Sequence, residues 1–216
     1  MTYKLYNYFR SSASYRVRIA LNLKGVPFEY IAVHLVNNGG EQNNNTYTTL
    51  NEMKQVPCLV VGNDVINQSM AILTYIDNAH PKPKLFPTDN ALNAKVIEIC
   101  EDINSGIQPL QNLSVNQFLE SHVNASKDQV KSWNGHWISR GLKSLDSKLS
   151  KQKGPFCFGE NITAADLFLI PQMFAAKRFG VEPSQFERLS QIYKNCSEVD
   201  AFKKAAPENQ IDYTPT

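Results

Sequence analysis

Tyr8-Phe-Arg-Ser-Ser-Ala-Ser-Tyr-Arg-Val-Arg-Ile-Ala-Leu21 joins a strand to a helix. Ahead of the join, residues 2–9 are rich in Tyr, Leu and Phe, the composition of a short half-buried strand. After it, Val17, Ala20 and Leu21 recur at helical spacing, and Tyr15, Ile19 and Leu23 widen the apolar face. Lys24 then falls in the last turn and Gly25 just past it, an ordinary helix stop. Ser11 and Ser12 therefore sit where the helix begins, among unpaired N–H groups at the positive end of its dipole. Two readings follow. One serine can simply cap the helix, the commonest use of Ser at such a position. Alternatively, two hydroxyls and free amides can together hold an anion, in particular a thiolate.

The chain has 216 residues, enough for one large core or two modest ones. Its formal charge is +2, without a long run of one sign, so nothing points to nucleic acid or an anionic membrane. No basic segment precedes an apolar core at the N-terminus, and no apolar run approaches a membrane span. Cys58, Cys100, Cys157 and Cys196 are dispersed, with neither a C-x-x-C pair nor a His/Cys ligand cluster. Scattered thiols of this kind suit a reducing cytoplasm and no structural metal.

The first eighty residues alternate between strand and helix patterns. Residues 28–35 read as a second strand, and 37–51, rich in Asn with Gly39 and Gly40, as an irregular loop or weak helix. Residues 56–61 and 64–67 flank Gly62-Asn63, a hairpin signal. A helix follows from Ser69, its expected N-cap, with Ile72, Leu73 and Ile76 on one face, and ends before Pro81. A βαβ unit followed by a hairpin and a helix is a thioredoxin-like α/β layout. Pro57 is the informative residue there, because proline inside a strand demotes it to an edge. A cis bond at the strand's start would leave the backbone groups of Val56 able to pair with an extended ligand. An ordinary trans proline in an edge loop is the commoner arrangement.

Residues 81–88 hold Pro81, Pro83 and Pro87 and read as a linker between a domain over 1–80 and an all-helical domain over 89–216. Helices are expected over 89–105, 108–120 (a turn or a kinked continuation) and 127–150. The last carries Trp133, Trp137, Leu142, Leu145 and Leu149 as a core stripe. Thr163 and Asp166 form a capping box, stapled by Ile162 to Leu167. The helix over 167–179 is apolar almost all round, as a buried central helix is.

On these motifs the chain resembles the zeta class of glutathione transferases, the family that includes maleylacetoacetate isomerases. The resemblance is carried by Phe9-Arg-Ser-Ser-x-Ser-x-Arg-Val-Arg-Ile-Ala-Leu21, Met53-Lys-Gln-Val-Pro57, Gln68-Ser69, Gly106-Ile-Gln-Pro-Leu-Gln-Asn-Leu-Ser114, and Asp166-Leu, Pro171-Gln and Arg178-Phe179. It covers nearly the whole chain. It implies a thioredoxin-like domain followed by an all-α domain, and glutathione as cofactor. Val56 and Pro57 would meet the cysteinyl backbone of glutathione, Gln68 and Ser69 its γ-glutamyl end, and Gln42 its glycyl end. Gln108, Asn112, Leu113 and Ser114 would approach from the helical domain. Ser11 and Ser12 would activate the thiol, with Ser11 the first choice for direct contact. The implied reaction is cis-trans isomerisation of maleylacetoacetate in tyrosine breakdown. In it a thiolate adds reversibly to the enone, and Arg10 and Arg178 grip the substrate carboxylates. Maleylpyruvate isomerisation and dehalogenation of small α-halo acids use related chemistry, and a non-catalytic binding module of the same fold is the contrasting reading. A cytoplasmic homodimer is implied as well. The family motif often has Cys where this chain has Ala13, which excludes a mechanism needing a protein thiol there. His34, His80, His122 and His136 show no pairing pattern and receive no catalytic part.

Overall fold

β1 (Tyr3–Asn7) buries Tyr3, Leu5 and Asn7 and turns the residues between them outward, the period-two pattern of a strand covered on one face. A computed structural model describes residues 2–215. α1 (Ser12–Leu23) follows and buries eight consecutive residues, Ser14 to Leu21, so both sides of this helix are covered. Gly25, at φ +61°, closes it, while the Val26 N–H reaches back to the Leu21 carbonyl at 2.9 Å. β2 (Phe28–Ala32) pairs parallel to β1, with Tyr3 opposite Phe28. Between it and the hairpin lie two short 3₁₀ turns, Asn37–Gly39 and Glu41–Asn43, and a single helical turn, α2 (Asn45–Thr48). β3 (Cys58–Val61) and β4 (Asp64–Asn67) form the expected antiparallel hairpin, and β3 also pairs antiparallel with β1. The sheet order is β2-β1-β3-β4, so the strand that feeds the serine motif is an interior one.

α3 (Ser69–Ala79) packs on α1. Its cap corrects the sequence expectation: Gln68, at φ +71°, occupies the N-cap and Ser69 is the first helical residue. Asn67 still pairs with Cys58 in the hairpin, so a single residue has to turn the chain from strand to helix. Ser69 is thereby left inside, where it meets a buried arginine.

One compact unit runs to Leu85, and the other is Phe86–Ser197. In the second, α4 (Asn90–Asn104) is capped by the Asp89 carboxylate, which accepts from the Leu92 N–H at 2.8 Å. A 3₁₀ turn, Gln108–Gln111, leads into α5 (Leu113–His122), so the segment after 107 is a turn and a separate helix. α6 (Lys127–Leu149) begins with a capping box between Ser126 and Gln129. Its core stripe is also shifted. Val130, Asn134, Ile138, Leu142, Leu145 and Leu149 point inward, while Trp133 and Trp137 are half-buried beside them. The indole N–H of Trp133 donates to the Leu110 carbonyl at 2.8 Å, a bond available at the margin of the core.

α7 (Ala164–Arg178) is buried from Ala164 through Met173 and again at Ala175 and Ala176, the central helix of its unit. The capping box at its start is present. Asp166 accepts from the Thr163 N–H at 2.8 Å and the Thr163 hydroxyl at 3.1 Å, and also from the Cys157 N–H at 2.8 Å. α8 (Glu187–Ser197) completes this unit.

The chain from Glu198 onward groups with the first unit, not with the helices that the sequence placed it among. α9 (Asp200–Ala205) packs on α1, and the Ala205 carbonyl accepts from Arg18 Nε at 3.0 Å. Arg18 is fully buried, so its donors need acceptors inside, and α9 supplies one.

A second buried charge closes the other end of α1. Lys24 Nζ lies 2.9 Å from Asp77, with both side chains almost fully buried, and Lys84 reaches the same carboxylate at 3.0 Å. Burial alone would raise the Asp77 carboxyl, but the Leu85 N–H and the two ammonium groups hold it below its ordinary value. A carboxyl held low in the folded state adds stability above its unfolded value of about 4, and that stability is lost as pH falls through the folded value. The denaturation midpoint is therefore expected to drop as pH is lowered below about 4, and to drop less steeply in Asp77→Asn. Equal slopes for the two proteins in urea titrations would remove Asp77 from the account.

Among the described residues no helix is long and apolar enough to cross a membrane, and no group of three or more His, Cys, Asp or Glu is placed to hold a metal.

Candidate active site

The turn between β1 and α1 sets the site. The Ser11 N–H donates to the Tyr8 carbonyl at 3.0 Å, closing a four-residue turn with Phe9 and Arg10 in the middle. Ser11 is the N-cap of α1, and its Oγ accepts from the Ser14 N–H at 3.2 Å. That bond uses the hydroxyl only as an acceptor, so its O–H can still donate to an anion. The cap and the anion site are thus compatible at one residue. Ser12 and Ala13 follow as the first helical residues, and Arg10 through Ala13 are all half-buried. The Arg10 guanidinium carbon lies 5.9 Å from the ring centres of both Tyr8 and Phe9, close enough for cation–π attraction to bias its direction.

Two further arginines hold this region from below. Arg16 is fully buried, and its Nη1 donates to Ser69 Oγ at 3.0 Å, tying α1 to the start of α3. Arg18 donates to the carbonyls of Tyr8 and Phe9 at 3.2 and 2.8 Å and to Asn7 Oδ1 at 3.0 Å. Burial lowers the Arg18 guanidinium to about 10, and nearby Asp212 works against that; it remains a cation at neutral pH. In the sequence Arg16-Val17-Arg18 is part of the family signature; in the fold it is a pair of interior braces. Two charges inside an otherwise apolar helical run were the available sign that both are interior, since charged residues are rarely buried without partners.

Val56 and Pro57 lie just ahead of β3, and the bond between them is cis. Val56 belongs to a buried cluster with Tyr8, Phe9, Val33, Tyr47 and Cys58, which brings it beside the serine turn. Gln68 is exposed and Ser69 buried, and Gln68 Nε2 is 3.4 Å from Gln55 Oε1. Gln42 is buried, with Nε2 donating to the Leu35 carbonyl at 3.3 Å. Its Oε1 is buried and meets no hydrogen-bond donor among the described residues. Gly40 permits this placement, since a Cβ there would lie 2.4 Å from Gln42 Nε2. An unsatisfied buried acceptor is costly, so Gln42 Oε1 is a candidate acceptor for an N–H donor from outside the chain.

The other predicted residues are in the second unit. Gln108 begins the 3₁₀ turn and is half-buried. Asn112 caps α5, its Oδ1 accepting from the Ser114 N–H at 3.0 Å and the Ser114 hydroxyl at 3.1 Å, and Leu113 starts that helix. Arg178 is the last residue of α7 and exposed, its guanidinium carbon 4.6 Å from the Phe179 ring centre. Gln111, at the end of the 3₁₀ turn, is buried and donates to Gln172 at 2.8 Å, an interior bond with no local signal in the chain. A groove of about 440 Å³ along α6 and Phe179–Val181 contains none of the predicted residues.

All four cysteines are buried free thiols. Burial pushes Cys58 up to about 11 and raises Cys157 and Cys196 as well, so these three hold their protons at neutral pH.

A four-stranded mixed sheet in the order β2-β1-β3-β4, whose interior strand β1 leads through a serine turn into α1, defines a thioredoxin-like domain. The family described as the glutathione S-transferase N-terminal domain matches residues 1–78. The probable maleylacetoacetate isomerase of Vibrio cholerae is 39% identical over 98% of this chain and 99% of its own length. Among solved structures, a bacterial zeta-class maleyl pyruvate isomerase in its holo form superposes with a TM-score of 0.94, at 36% identity over 98% of this chain and all of that one. The maleylacetoacetate isomerase of Anaeromyxobacter dehalogenans with bound glutathione gives a TM-score of 0.87, at 36% identity over 99% of this chain and 98% of the other. The chain belongs to the zeta class of the glutathione transferase family.

Proposed function

We propose that the protein is a glutathione-dependent cis-trans isomerase that converts maleylacetoacetate to fumarylacetoacetate. The observation that carries this reading is the serine-lined N-terminus of α1, where Ser11 caps the helix and keeps an O–H to donate. The residues present suit glutathione. The orphaned Gln42 Oε1 can accept a peptide N–H, and the start of α3 at Gln68 and Ser69 suits a carboxylate. When bound, glutathione supplies a thiolate that adds reversibly to a conjugated double bond and is released unchanged. This chain's part is to bind and orient. Val56, ahead of Pro57, pairs with the cysteinyl main chain. Ser11 donates to the sulfur, with Ser12 beside it, and the helix dipole favours the anion. Arg16 donates to Ser69 Oγ from inside, which turns the Ser69 O–H outward toward the γ-glutamyl carboxylate. Arg10 and Arg178 take the substrate carboxylates, and Gln108, Asn112, Leu113 and Ser114 are assigned to the ligand from the helical unit.

Turnover with glutathione far below the substrate concentration tests the reading, because a cofactor is regenerated and a reactant is consumed. Many turnovers per glutathione are expected; one turnover per glutathione would make the protein a transferase in the ordinary sense. Maleylpyruvate belongs in the same assay as the competing substrate, since the holo structure at a TM-score of 0.94 is that of a maleyl pyruvate isomerase. Retention on immobilised glutathione without isomerisation would favour a binding module.

We further assign the protein to tyrosine catabolism in the cytoplasm, as a homodimer. Sedimentation at micromolar concentration is expected to give twice the 24.4 kDa chain mass. A monomer at that concentration would count against the assembly.

A further inference from the structure

The turn that presents Arg10 and Ser11 is held by a residue two hundred positions away. Asp212 lies beyond α9, in the part of the chain that returns to the first unit. Its Oδ2 accepts from the Phe9 N–H at 3.0 Å, and its Oδ1 accepts from the Tyr30 hydroxyl on β2. The next residue, Tyr213, sets its ring edge-on against Phe9, with centroids 5.6 Å apart. From the opposite side Arg18 holds the carbonyls of Tyr8 and Phe9, and Ala205 anchors Arg18. The Phe9 N–H is thus gripped by a carboxylate and the Phe9 C=O by a guanidinium, which fixes the peptide planes on both sides of Phe9. Those planes set where Arg10 points and how the N-cap of α1 is aimed.

We propose that Asp212 is a positioning residue for the isomerase reaction, clamping the Phe9 peptide so that the C-terminal segment sets the direction of Arg10 and Ser11. The inference rests on the proposed role of that turn. A misplacement of about 1 Å at a reacting centre can cost on the order of 10²-fold in rate, so one lost clamp reaches the chemistry without touching a ligand.

Asp212→Ala and Asp212→Asn separate positioning from general stability. Asparagine can turn its Oδ1 to the Phe9 N–H and its amide to the Tyr30 oxygen, so it preserves the clamp, whereas alanine removes it. In the ligand-free protein, amide hydrogen exchange at Phe9 is expected to quicken by about tenfold or more in the alanine variant and to stay slow in the asparagine variant. With glutathione bound, the alanine variant is expected to ionise the thiol at higher pH in an ultraviolet titration. Its kcat should fall roughly 10–100-fold, while glutathione affinity measured at a pH low enough to keep the bound thiol protonated stays near the parent value. The asparagine variant should recover most of the loss. Should the alanine variant fail to fold, Tyr30→Phe takes its place, since it removes the brace on Asp212 and leaves the Phe9 bond; it must show the same changes in smaller measure. An unchanged thiol titration and kcat in a folded Asp212→Ala overturns the proposal, as does an asparagine variant no better than alanine. A parent protein that binds glutathione without isomerising would instead sink the functional reading, and the exchange and thiol measurements would still judge the clamp.

Discussion

Replacing Ser11 and Ser12 together with alanine is expected to cut the isomerase rate by about 10²-fold or more, the scale of losing an oriented donor to a developing or resident anion. The two serines do not contribute in one way. Ser11 caps α1 through its Oγ and can offer its O–H outward, while Ser12 opens the helix beside it. The fold should lose only the cap, roughly 0.5–2 kcal/mol. Rate and stability thus part company, and that separation is the diagnostic. Single substitutions rank the two: Ser11→Ala should account for most of the rate loss if its hydroxyl meets the sulfur. A double variant that isomerises at near the parent rate would transfer thiolate activation to the backbone amides of the first turn alone.

Arg178→Lys is expected to lower kcat/KM by about 10–150-fold, equivalent to roughly 1.5–3 kcal/mol of transition-state binding. The buried run of α7 ends at Ala176, so Lys177 and Arg178 emerge at the helix's C-terminus as exposed cations. Cations there complement the helix dipole, and that alone is a sufficient structural reason for a basic pair. Lysine at 178 keeps the dipole complement and loses the planar fork that grips a carboxylate with two parallel bonds. The substitution therefore isolates recognition from charge. Glutathione affinity and the melting temperature should be unchanged. If Arg178→Lys and Arg178→Ala both turn over like the parent, Arg178 serves the helix and not the substrate.

The elements that the sequence made legible are those whose signals are local. The β1–turn–α1 join, the Gly62-Asn63 hairpin and the Thr163–Asp166 box each place their cue within a few residues, and each is where the pattern put it. Ser69 was misplaced by one position, because the competing demand came from the Asn67–Cys58 ladder pair and not from the helix itself. Trp133 and Trp137 fit a stripe by size, yet the Trp133 indole N–H finds its partner at the core's edge, and smaller Ile138 and polar Asn134 take the interior. The partners of Arg16 and Arg18 were illegible for a different reason. Ser69, which accepts from Arg16, and Ala205, one of the acceptors of Arg18, stand 53 and 187 residues away, and no periodicity within α1 encodes a bond of that span. Asp212 carries no local cue at all.

The four sequestered cysteines bear on how such a protein survives its own chemistry. A conjugated enone alkylates any accessible thiolate, and an enzyme that gathers such a compound is the first target at hand. Here Ala13 stands in the first turn of α1, where the family motif often has a sulfhydryl, and Cys58, Cys100, Cys157 and Cys196 are all enclosed. The sulfur that meets the electrophile is therefore a borrowed one, which departs with its adduct undone or, if it is permanently modified, can be exchanged for another from solution. Damage falls on a replaceable molecule, and the polypeptide is spared.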